Sequence, residues 1–262
     1  MKKIYKVINI YFSIHDIYLK SEWEKYEKSD NNLDFVIGGI YPRDEIYYMR
    51  IYDIPSILQY RIIEIDKDIM IVEKDWRKSY IILPVLEKVV GSFSIQLFYT
   101  HAVQRHIIYL HSSLIDWKGR GLMFLGPSGI GKTTQAELWN QYRDALIING
   151  DVVFVQETEN AFLGWGTPWH GSSPYCENAS VPVEALIVLK QAPENSIREL
   201  TGFEKVTAVS ESVFYPRWLE GGMELCLETL DHLLTALPVY ELSCRPDEAA
   251  VELVEKTIFG KT

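Results

Sequence analysis

The sequence has few cysteines, no long apolar run and no excess of basic charge. Cys176, Cys226 and Cys244 are an odd number without a Cys-x-x-Cys pair, which predicts reduced, buried thiols. The longest charge-free stretch, residues 89–104, contains several polar residues and is shorter than the roughly 20 apolar residues that span a bilayer. These absences exclude a disulfide scaffold, a Cys-x-x-Cys zinc site and a helical membrane protein.

Acidic residues outnumber basic ones, with 36 Asp and Glu against 26 Lys and Arg and a formal net charge of −10. A negative surface opposes broad contact with nucleic acid phosphates or anionic lipids. We therefore expect no nucleic acid partner and no membrane partner, although a local basic pocket stays compatible with this charge. The first residues, Met-Lys-Lys-Ile-Tyr-Lys, lack the features of a signal peptide, so a cytoplasmic location is expected by elimination.

The order of apolar patterns along the 262 residues predicts an α/β protein with a mixed sheet. Residues 1–83 contain short β-branched and aromatic segments between polar breaks, which predicts a smaller β-rich N-terminal region that could bind a partner. Residues 84–106 carry apolar side chains four apart, which predicts a connecting helix. Residues 107–262 alternate strand and helix patterns. Strands are predicted at 4–14, 45–54, 60–65, 69–73, 80–83, 107–116, 121–125, 145–149, 152–155, 183–189 and 239–243, and helices at 132–140, 201–210, 222–237 and 247–258.

Residues 126–134 read Gly-Pro-Ser-Gly-Ile-Gly-Lys-Thr-Thr and complete the phosphate-binding pattern Gly-x4-Gly-Lys-[Ser/Thr]. Glycines let the backbone curl so that successive N–H groups point at a phosphate, and the following helix N-terminus adds its positive end. Lys132 is expected to reach the β- and γ-oxygens, and Thr133 to offer its hydroxyl to Mg²⁺. The sequence therefore predicts ATP and Mg²⁺ as cofactors, bound by Gly126, Pro127, Ser128, Gly129, Ile130, Gly131, Lys132, Thr133 and Thr134.

Asp151 is the candidate carboxylate for this site. Phosphoryl transfer needs a carboxylate that holds Mg²⁺ or orients the nucleophile, usually at the end of a neighbouring strand. Asp151 closely follows the apolar run Ala-Leu-Ile-Ile at 145–148 and would lie at such an end. The alternative is a solvated aspartate in a turn, because Asn149-Gly150 is also a hairpin signal.

Four segments together carry a family likeness: Leu-His-Ser-Ser-Leu-Ile at 110–115 ahead of Gly-Arg-Gly at 119–121, the phosphate loop, Asn-Gly-Asp-Val-Val at 149–153, and Gly-Thr-Pro-Trp-His-Gly at 166–171. They resemble the HPr kinase/phosphorylase family and its smaller relatives, whose core is shared with ATP-dependent phosphoenolpyruvate carboxykinases. The resemblance spans roughly residue 110 to the C-terminus. It implies a mixed-sheet core, ATP with Mg²⁺, and phosphorylation of a serine hydroxyl on a protein or peptide acceptor. Because HPr kinases form hexamers, a homo-oligomer is also possible.

The same resemblance implies roles for His111 and Asp151. His111 matches a histidine near the reacting phosphate, although a strand-end histidine with a purely structural role has the same pattern. Asp151 matches the second of two adjacent aspartates, the one expected at the metal. Gly150 stands where the first aspartate of the pair belongs. That aspartate is the natural general base and serves the reverse phosphorolysis, so we expect no reverse activity. The acceptor proton would then go to Asp151 or to the His111 imidazole, a side chain suited to proton transfer. An alignment with the carboxykinases shifts the register, because their Gly-Asp-Asp run can also match Gly150-Asp151.

Arg217 and His170 are further candidates. Arg217 could place its guanidinium on the transferring phosphate, and small relatives of the family have a matching arginine. Alternatively it stacks on the neighbouring aromatic residues at the surface. His170 lies in a turn-rich loop that could line the acceptor site or simply be exposed. His101 and His106 flank the end of the predicted helix and are expected to be structural.

Three functions are compatible with these residues. The favoured one is a kinase for a serine hydroxyl of a protein or a precursor peptide, with Asp151, His111, Lys132 and Arg217 as catalytic residues. The second is an enzyme that acts on a small molecule, either a hydroxyl compound or a carboxykinase-like substrate, although the length argues against a true carboxykinase. The third is a nucleotide-binding regulator without catalysis, in which Gly150→Asp would restore some activity.

Overall fold

The computed structural model describes residues 2–30, 32–42, 59–65, 68–83 and 87–260, and the backbone alone at 44–46, 49–51 and 87–89. The chain divides into two compact units, Met1–His101 and Ala102–Thr262. The predicted strand at 45–54 and the predicted helix start at 84–86 lie partly or wholly outside the described residues.

The first unit contains one mixed sheet of six strands in the order β1-β2-β3-β8-β7-β6. Strands β1 and β2 form an antiparallel hairpin, whereas β2, β3 and β8 pair in parallel. Phe12 stacks on Phe35 with ring centroids 4.7 Å apart and contacts Phe98 of α1, so the predicted connecting helix packs into the core of this unit. The elements are β1 (Lys2–Val7), β2 (Ile10–His15), a 3-10 helix (Ser21–Tyr26), β3 (Phe35–Ile40), the pair β4 (Asp44–Ile46) and β5 (Met49–Ile51), β6 (Tyr60–Ile65), β7 (Asp68–Glu73), β8 (Lys78–Ile82) and α1 (Glu87–Ala102).

The second unit is built around two long strands, β9 and β14. The C-terminal half of β9 pairs with β10 and β11, and its N-terminal half pairs with β12 and β16. Strand β14 pairs with β13, and in parallel with β10 and β17; β15 pairs with β17. The elements are a 3-10 helix (Val103–Arg105), β9 (Ile107–Trp117), β10 (Arg120–Leu125), α2 (Lys132–Arg143), β11 (Leu146–Asn149), β12 (Val152–Glu157), β13 (Phe162–Trp165), β14 (Ser180–Gln191), β15 (Ser196–Leu200), α3 (Gly202–Ser210), β16 (Val213–Phe214), α4 (Gly222–Ala236), β17 (Val239–Cys244) and α5 (Glu248–Ile258).

Helices α2 and α5 cover one face of the second unit's sheet. Trp117, Trp139 and Phe259 form an aromatic cluster there, with Trp117 at 5.6 Å from Trp139 and 4.9 Å from Phe259 between ring centroids. Aromatic rings bury large apolar areas, so this cluster fixes α2 against the sheet. Helix α2 is the element that presents the phosphate loop, and its position is therefore set by the core.

The predicted α/β class, with mixed sheets and a β-rich N-terminal region, is confirmed. The three cysteines form no disulfide and are buried, as predicted. None of the helices in the described part of the chain has the length and apolar character needed to cross a membrane.

Strand β3 lies where no strand is predicted from the sequence, because Gly38-Gly39 is typical of a break between strands. Both glycines lie inside the strand, where an added Cβ would be 2.9 Å from the Tyr80 ring and 2.6 Å from Leu83 Cδ1. Side chains from the neighbouring segment therefore pack over them. The predicted single strand at 4–14 is instead a hairpin, which turns at Ile8, a residue with φ of 58°.

Candidate active site

The phosphate loop connects the end of β10 at Leu125 to the start of α2 at Lys132. Gly126, Gly129 and Gly131 have φ values of 135°, 78° and 115°, which side chains with a Cβ rarely adopt. Strand β10 is held on both edges, by β9 and by β14. The loop thus leaves a fixed strand and enters a fixed helix, the arrangement that presents backbone N–H groups to an anion.

Lys132 is a buried cation whose hydrogen-bond acceptors are neutral. Its side chain is only 6% exposed, and its Nζ donates to the carbonyls of Gly126 at 3.0 Å and Pro127 at 3.2 Å. Burial lowers the pKa of Lys132, while the negative charge of Asp151 acts in the opposite direction. A buried ammonium held by carbonyls alone gains from an anionic ligand, so the geometry suits a phosphate next to the loop.

Thr133 connects the loop to Asp151. Its Oγ1 donates to the carbonyl oxygen of Gly150 at 3.2 Å, so the hydroxyl lies at the peptide bond that precedes Asp151. Ser113 of β9 donates to the carbonyl of Lys132 at 2.9 Å and fixes the first turn of α2 to the sheet. The two predicted Mg²⁺ ligands, Thr133 and Asp151, therefore belong to one small region.

His111 and Asp151 form a hydrogen-bonded pair, with Nε2 and Oδ1 2.7 Å apart. The pairing of β9 with β12 places Val152 opposite His111 and thereby brings the two side chains together. Backbone bonds hold both residues, because His111 N donates to Ser212 O at 2.8 Å and Ser112 N donates to Asp151 O at 3.1 Å. Both side chains are partly exposed and can reach a substrate.

Asn149 positions Asp151 and is a residue that sequence reasoning missed. Its side chain is fully buried, and Oδ1 accepts from the N–H groups of Asp151 and Val152, both at 2.9 Å. Its Nδ2 donates to the carbonyls of Thr167 at 3.2 Å and Trp169 at 3.0 Å. One amide thus ties the Asp151 turn to the 167–171 loop. The sequence signal for this role was the Asn-Gly-Asp run at 149–151, because asparagine side chains in turns accept hydrogen bonds from backbone N–H groups that follow them.

The 167–175 loop lies directly against the two residues at the end of β11. Gly171 has φ of 57°, and a Cβ added to it would lie 1.9 Å from Asp151 Oδ2. A Cβ added to Gly150 would lie 1.9 Å from Ser173 Oγ. The Ser173 side chain therefore occupies the space that a side chain at position 150 would need, so Ser173 has to move before an aspartate can be accommodated there.

An aromatic group lines the other side of His111. Phe214 of β16 stacks on Tyr109 with centroids 4.2 Å apart and meets the His111 ring edge-on at 6.3 Å. Burial raises the pKa of Tyr109, and the nearby charge of Asp151 adds to this shift. Tyr109 therefore stays neutral and acts as an apolar wall.

The remaining candidates form no hydrogen bond with this pair within the described chain. Arg217 is on the exposed turn after β16, and within the described chain its side chain forms no hydrogen bond or ion pair. His170 hydrogen-bonds through Nδ1 to the carbonyl of Ser173. His101 bonds to the carbonyl of Trp76 at 3.1 Å, and His106 bonds to a threonine hydroxyl of α4 at 3.2 Å.

A cleft of about 510 Å³ adjoins the outer side of the phosphate loop. Gly129, Ile130 and Gln135 line it from the loop and α2, and Leu189 and Cys244 line it from the ends of β14 and β17. Burial raises the pKa of the Cys244 thiol, so this side chain is uncharged, and the basic residues Lys190 and Arg245 line the cleft beside it. The cleft has the size and mixed polarity of a small-molecule site.

Residues 85–256 match the family model described as SynChlorMet cassette protein ScmC. No match was found among curated proteins. Among solved structures, the chain resembles the Hpr(Ser) kinase/phosphatase from Coxiella burnetii, with a TM-score of 0.34 and 12% identity, over 57% of this chain and 95% of that one. This is a distant resemblance, and the activity of that protein is not transferred from it.

Proposed function

The chain belongs to the family of SynChlorMet cassette protein ScmC, and we propose that it is an ATP-dependent kinase that phosphorylates a serine hydroxyl of a protein or peptide. One observation carries this proposal. The antiparallel pairing of β9 and β10 places Leu125 opposite Ser112, so the phosphate loop begins beside the His111–Asp151 pair. The anion-binding loop that follows β10 and the pair able to move a proton thus lie next to each other along β9.

The residues of the site fit ATP with Mg²⁺. The loop offers N–H groups, Lys132 is a buried cation with neutral partners, and the adjoining cleft has room for a nucleoside. Among the residues that the structure describes, no three His, Cys, Asp or Glu side chains converge on one point. Mg²⁺ suits such a site, because it usually takes one or two protein oxygens and completes its shell with phosphates and water. We propose Thr133 and Asp151 as those ligands. When bound, ATP would supply the phosphoryl group, and Mg²⁺ would supply positive charge beside it.

The protein's own residues handle the acceptor proton in this proposal. With a proton on Nε2, His111 donates to Asp151 Oδ1 and keeps a lone pair on Nδ1. Asp151 orients the ring and stabilises the imidazolium that forms when Nδ1 takes the serine proton. Lys132 stabilises the charge on the transferring phosphate. Arg217 would be a second phosphate ligand once its side chain turned inward from the surface.

A nucleotide-binding regulator without turnover is the second candidate function. The observation that favours it is Gly150 beside Asp151, where the family pattern has a second carboxylate and where Ser173 fills the space that its side chain would need. In this case the same loop and cleft would bind MgATP, and the signal would be a change in partner binding.

Transfer of labelled phosphate from ATP to serine peptides tests the proposal. Lys132→Ala should reduce transfer by at least about 100-fold, because it removes the cation that acts on the phosphate. Lys256→Ala, an exposed change on α5, is the matched control and should leave transfer unchanged. Transfer that survives Lys132→Ala contradicts the proposal. ATP-induced thermal stabilisation without turnover on any acceptor would support the regulator, and turnover on small hydroxyl compounds alone would make the chain a small-molecule kinase.

A further inference from the structure

Exposed large apolar side chains of the second unit are concentrated in one stretch of its sequence. In the described part of this unit six are exposed, and five of them come from residues 203–227. Soluble proteins rarely leave such a concentration of apolar groups in water unless it serves binding. The five are Phe203, Val206, Phe214, Trp218 and Leu227.

Helix α3 contributes to this region as a helix with almost no buried face. Of its nine residues only Val209 is buried, and Phe203 in its first turn is 85% exposed. A helix of this length is not stable by its own propensity and normally depends on packing of an apolar face. Its outward apolar residues are therefore available to a partner.

Phe214 joins this region to the proposed active site. Its ring is 46% exposed, yet it stacks on Tyr109 and lies at 6.3 Å from the His111 ring. Phe214 is thus both a neighbour of His111 and one of the exposed apolar side chains. An acceptor chain bound to these side chains would therefore lie close to the proposed site.

Carboxylates without ion pairs surround these apolar groups. Five of them form neither a hydrogen bond nor an ion pair with any residue of the described chain, namely Glu211, Glu220, Glu224, Glu228 and Asp231. On α4 the spacing of Glu224, Leu227, Glu228 and Asp231 places an apolar side chain and three carboxylates on one exposed face. Lys205 and Arg217 lie in the same stretch, and His232 is next to Glu228 and Asp231, but the carboxylates outnumber these basic side chains. An excess of negative charge next to apolar groups is complementary to a ligand that is both basic and apolar.

We propose that this face, hereafter the 203–231 surface, binds the acceptor as a peptide segment with basic and large apolar residues beside its serine. The apolar side chains of the peptide would pack on Phe214 and Leu227, and its Lys or Arg residues would meet the carboxylates of α4. That the bound serine is phosphorylated rests on the proposed kinase function, whereas the docking itself does not require catalysis.

Fluorescence anisotropy with the full-length chain tests the docking. The probes are labelled peptides of about 12 residues with a central serine: one basic and apolar, one with Glu in place of each Lys, and one with Ser in place of each Leu. The first should bind at least about tenfold more tightly than the other two, and its affinity should fall as salt rises from about 50 to 300 mM. Glu228→Lys should weaken binding about fivefold, because one exposed attraction becomes a repulsion. Leu227→Ser should weaken it by a similar factor, about fivefold. Glu252→Lys on α5 is the matched charge control and should leave affinity unchanged.

Equal binding of the acidic probe, or an affinity that Glu228→Lys does not change, would overturn the docking proposal. The docking proposal would also be overturned if the protein formed a dimer that bound no probe and that Phe203→Ser dissociated. A second copy of the chain would then cover this surface. Phosphate transfer is measured separately on the same peptides. Selective binding without transfer supports the surface and contradicts the kinase, whereas equal transfer to all peptides supports the kinase and contradicts the surface.

Discussion

The close contact between Gly171 and Asp151 gives the sharpest test of the site, through the substitution Gly171→Ala. Gly171 has φ of 57°, and its added Cβ would lie 1.9 Å from Asp151 Oδ2. Real Cβ atoms keep about 3.4 Å from such an oxygen. The substitution therefore forces the carboxylate or the 167–175 loop to move by about 1.5 Å.

The expected effects on stability and on turnover are different in size. A non-glycine residue in the left-handed region costs about 1 kcal/mol, and relief of the overlap adds a similar amount, so the free energy of unfolding should fall by about 2 kcal/mol. A displacement of about 1 Å at a catalytic group can reduce turnover about 100-fold. Turnover should therefore fall far more than a modest loss of stability can explain.

Gly119→Ala is the matched control. Gly119 has φ of 79° in the turn between β9 and β10, at the far end of β10 from the phosphate loop, and its added Cβ meets nothing within 4 Å. This variant should show the same left-handed penalty of about 1 kcal/mol with unchanged turnover. Urea unfolding and peptide phosphorylation measure both quantities at a temperature where both variants are folded. If Gly171→Ala retains the turnover of Gly119→Ala, Asp151 is not held where catalysis needs it, and the assignment of this carboxylate is wrong.

Three further predictions follow from buried and charged contacts. Asn149→Ala should lower the free energy of unfolding by about 2 to 4 kcal/mol, because four backbone groups each lose a hydrogen bond, whereas Asn140→Ala, which removes one bond, should cost about 1 kcal/mol. Equal losses in urea unfolding would contradict this. Gly150→Asp should destabilise by about 1 to 3 kcal/mol without raising activity, and adding Ser173→Gly should recover most of that loss in thermal unfolding. A hydrogen bond to the Glu157 carboxylate raises the pKa of His232. The stabilisation that this contact gives the folded state is therefore fully present below the ordinary histidine pKa and is lost as pH rises through the raised pKa. His232→Gln should therefore reduce stability at about pH 5.5 and much less at about pH 8.5, and an equal effect at both would refute the linkage.

The helices were predictable because apolar residues repeat with the helical period. The predicted ranges 222–237 and 247–258 correspond to α4 (Gly222–Ala236) and α5 (Glu248–Ile258). Strand β3 was not predicted, because Gly38-Gly39 is typical of a break in sequence and becomes strand only where Tyr80 and Leu83 pack over it. Tertiary packing, which local patterns do not contain, decided that element.

The site divides in the same way between local and distant contacts. The phosphate loop is one contiguous motif, so its strand and helix could be predicted from neighbouring residues. The His111–Asp151 pair joins residues 40 positions apart, and only the family resemblance placed them together. Nothing local predicts that Ser173 packs on Gly150 or that Gly171 lies on Asp151. The structure brings these side chains together, and their catalytic roles stay predictions.

The pairing of β10 with two partners has a consequence for the order in which the protein folds. Its pairing with β9 is a local hairpin, whereas its parallel pairing joins Leu125 to Val188, far along the chain. Contacts between distant residues form slowly, and synthesis proceeds from the N-terminus. The phosphate loop is made before the strand that fixes its entry. A nascent chain that ends before β14 would hold the complete motif without its geometry, and nucleotide affinity in truncated chains should arise abruptly once β14 and β17 are present.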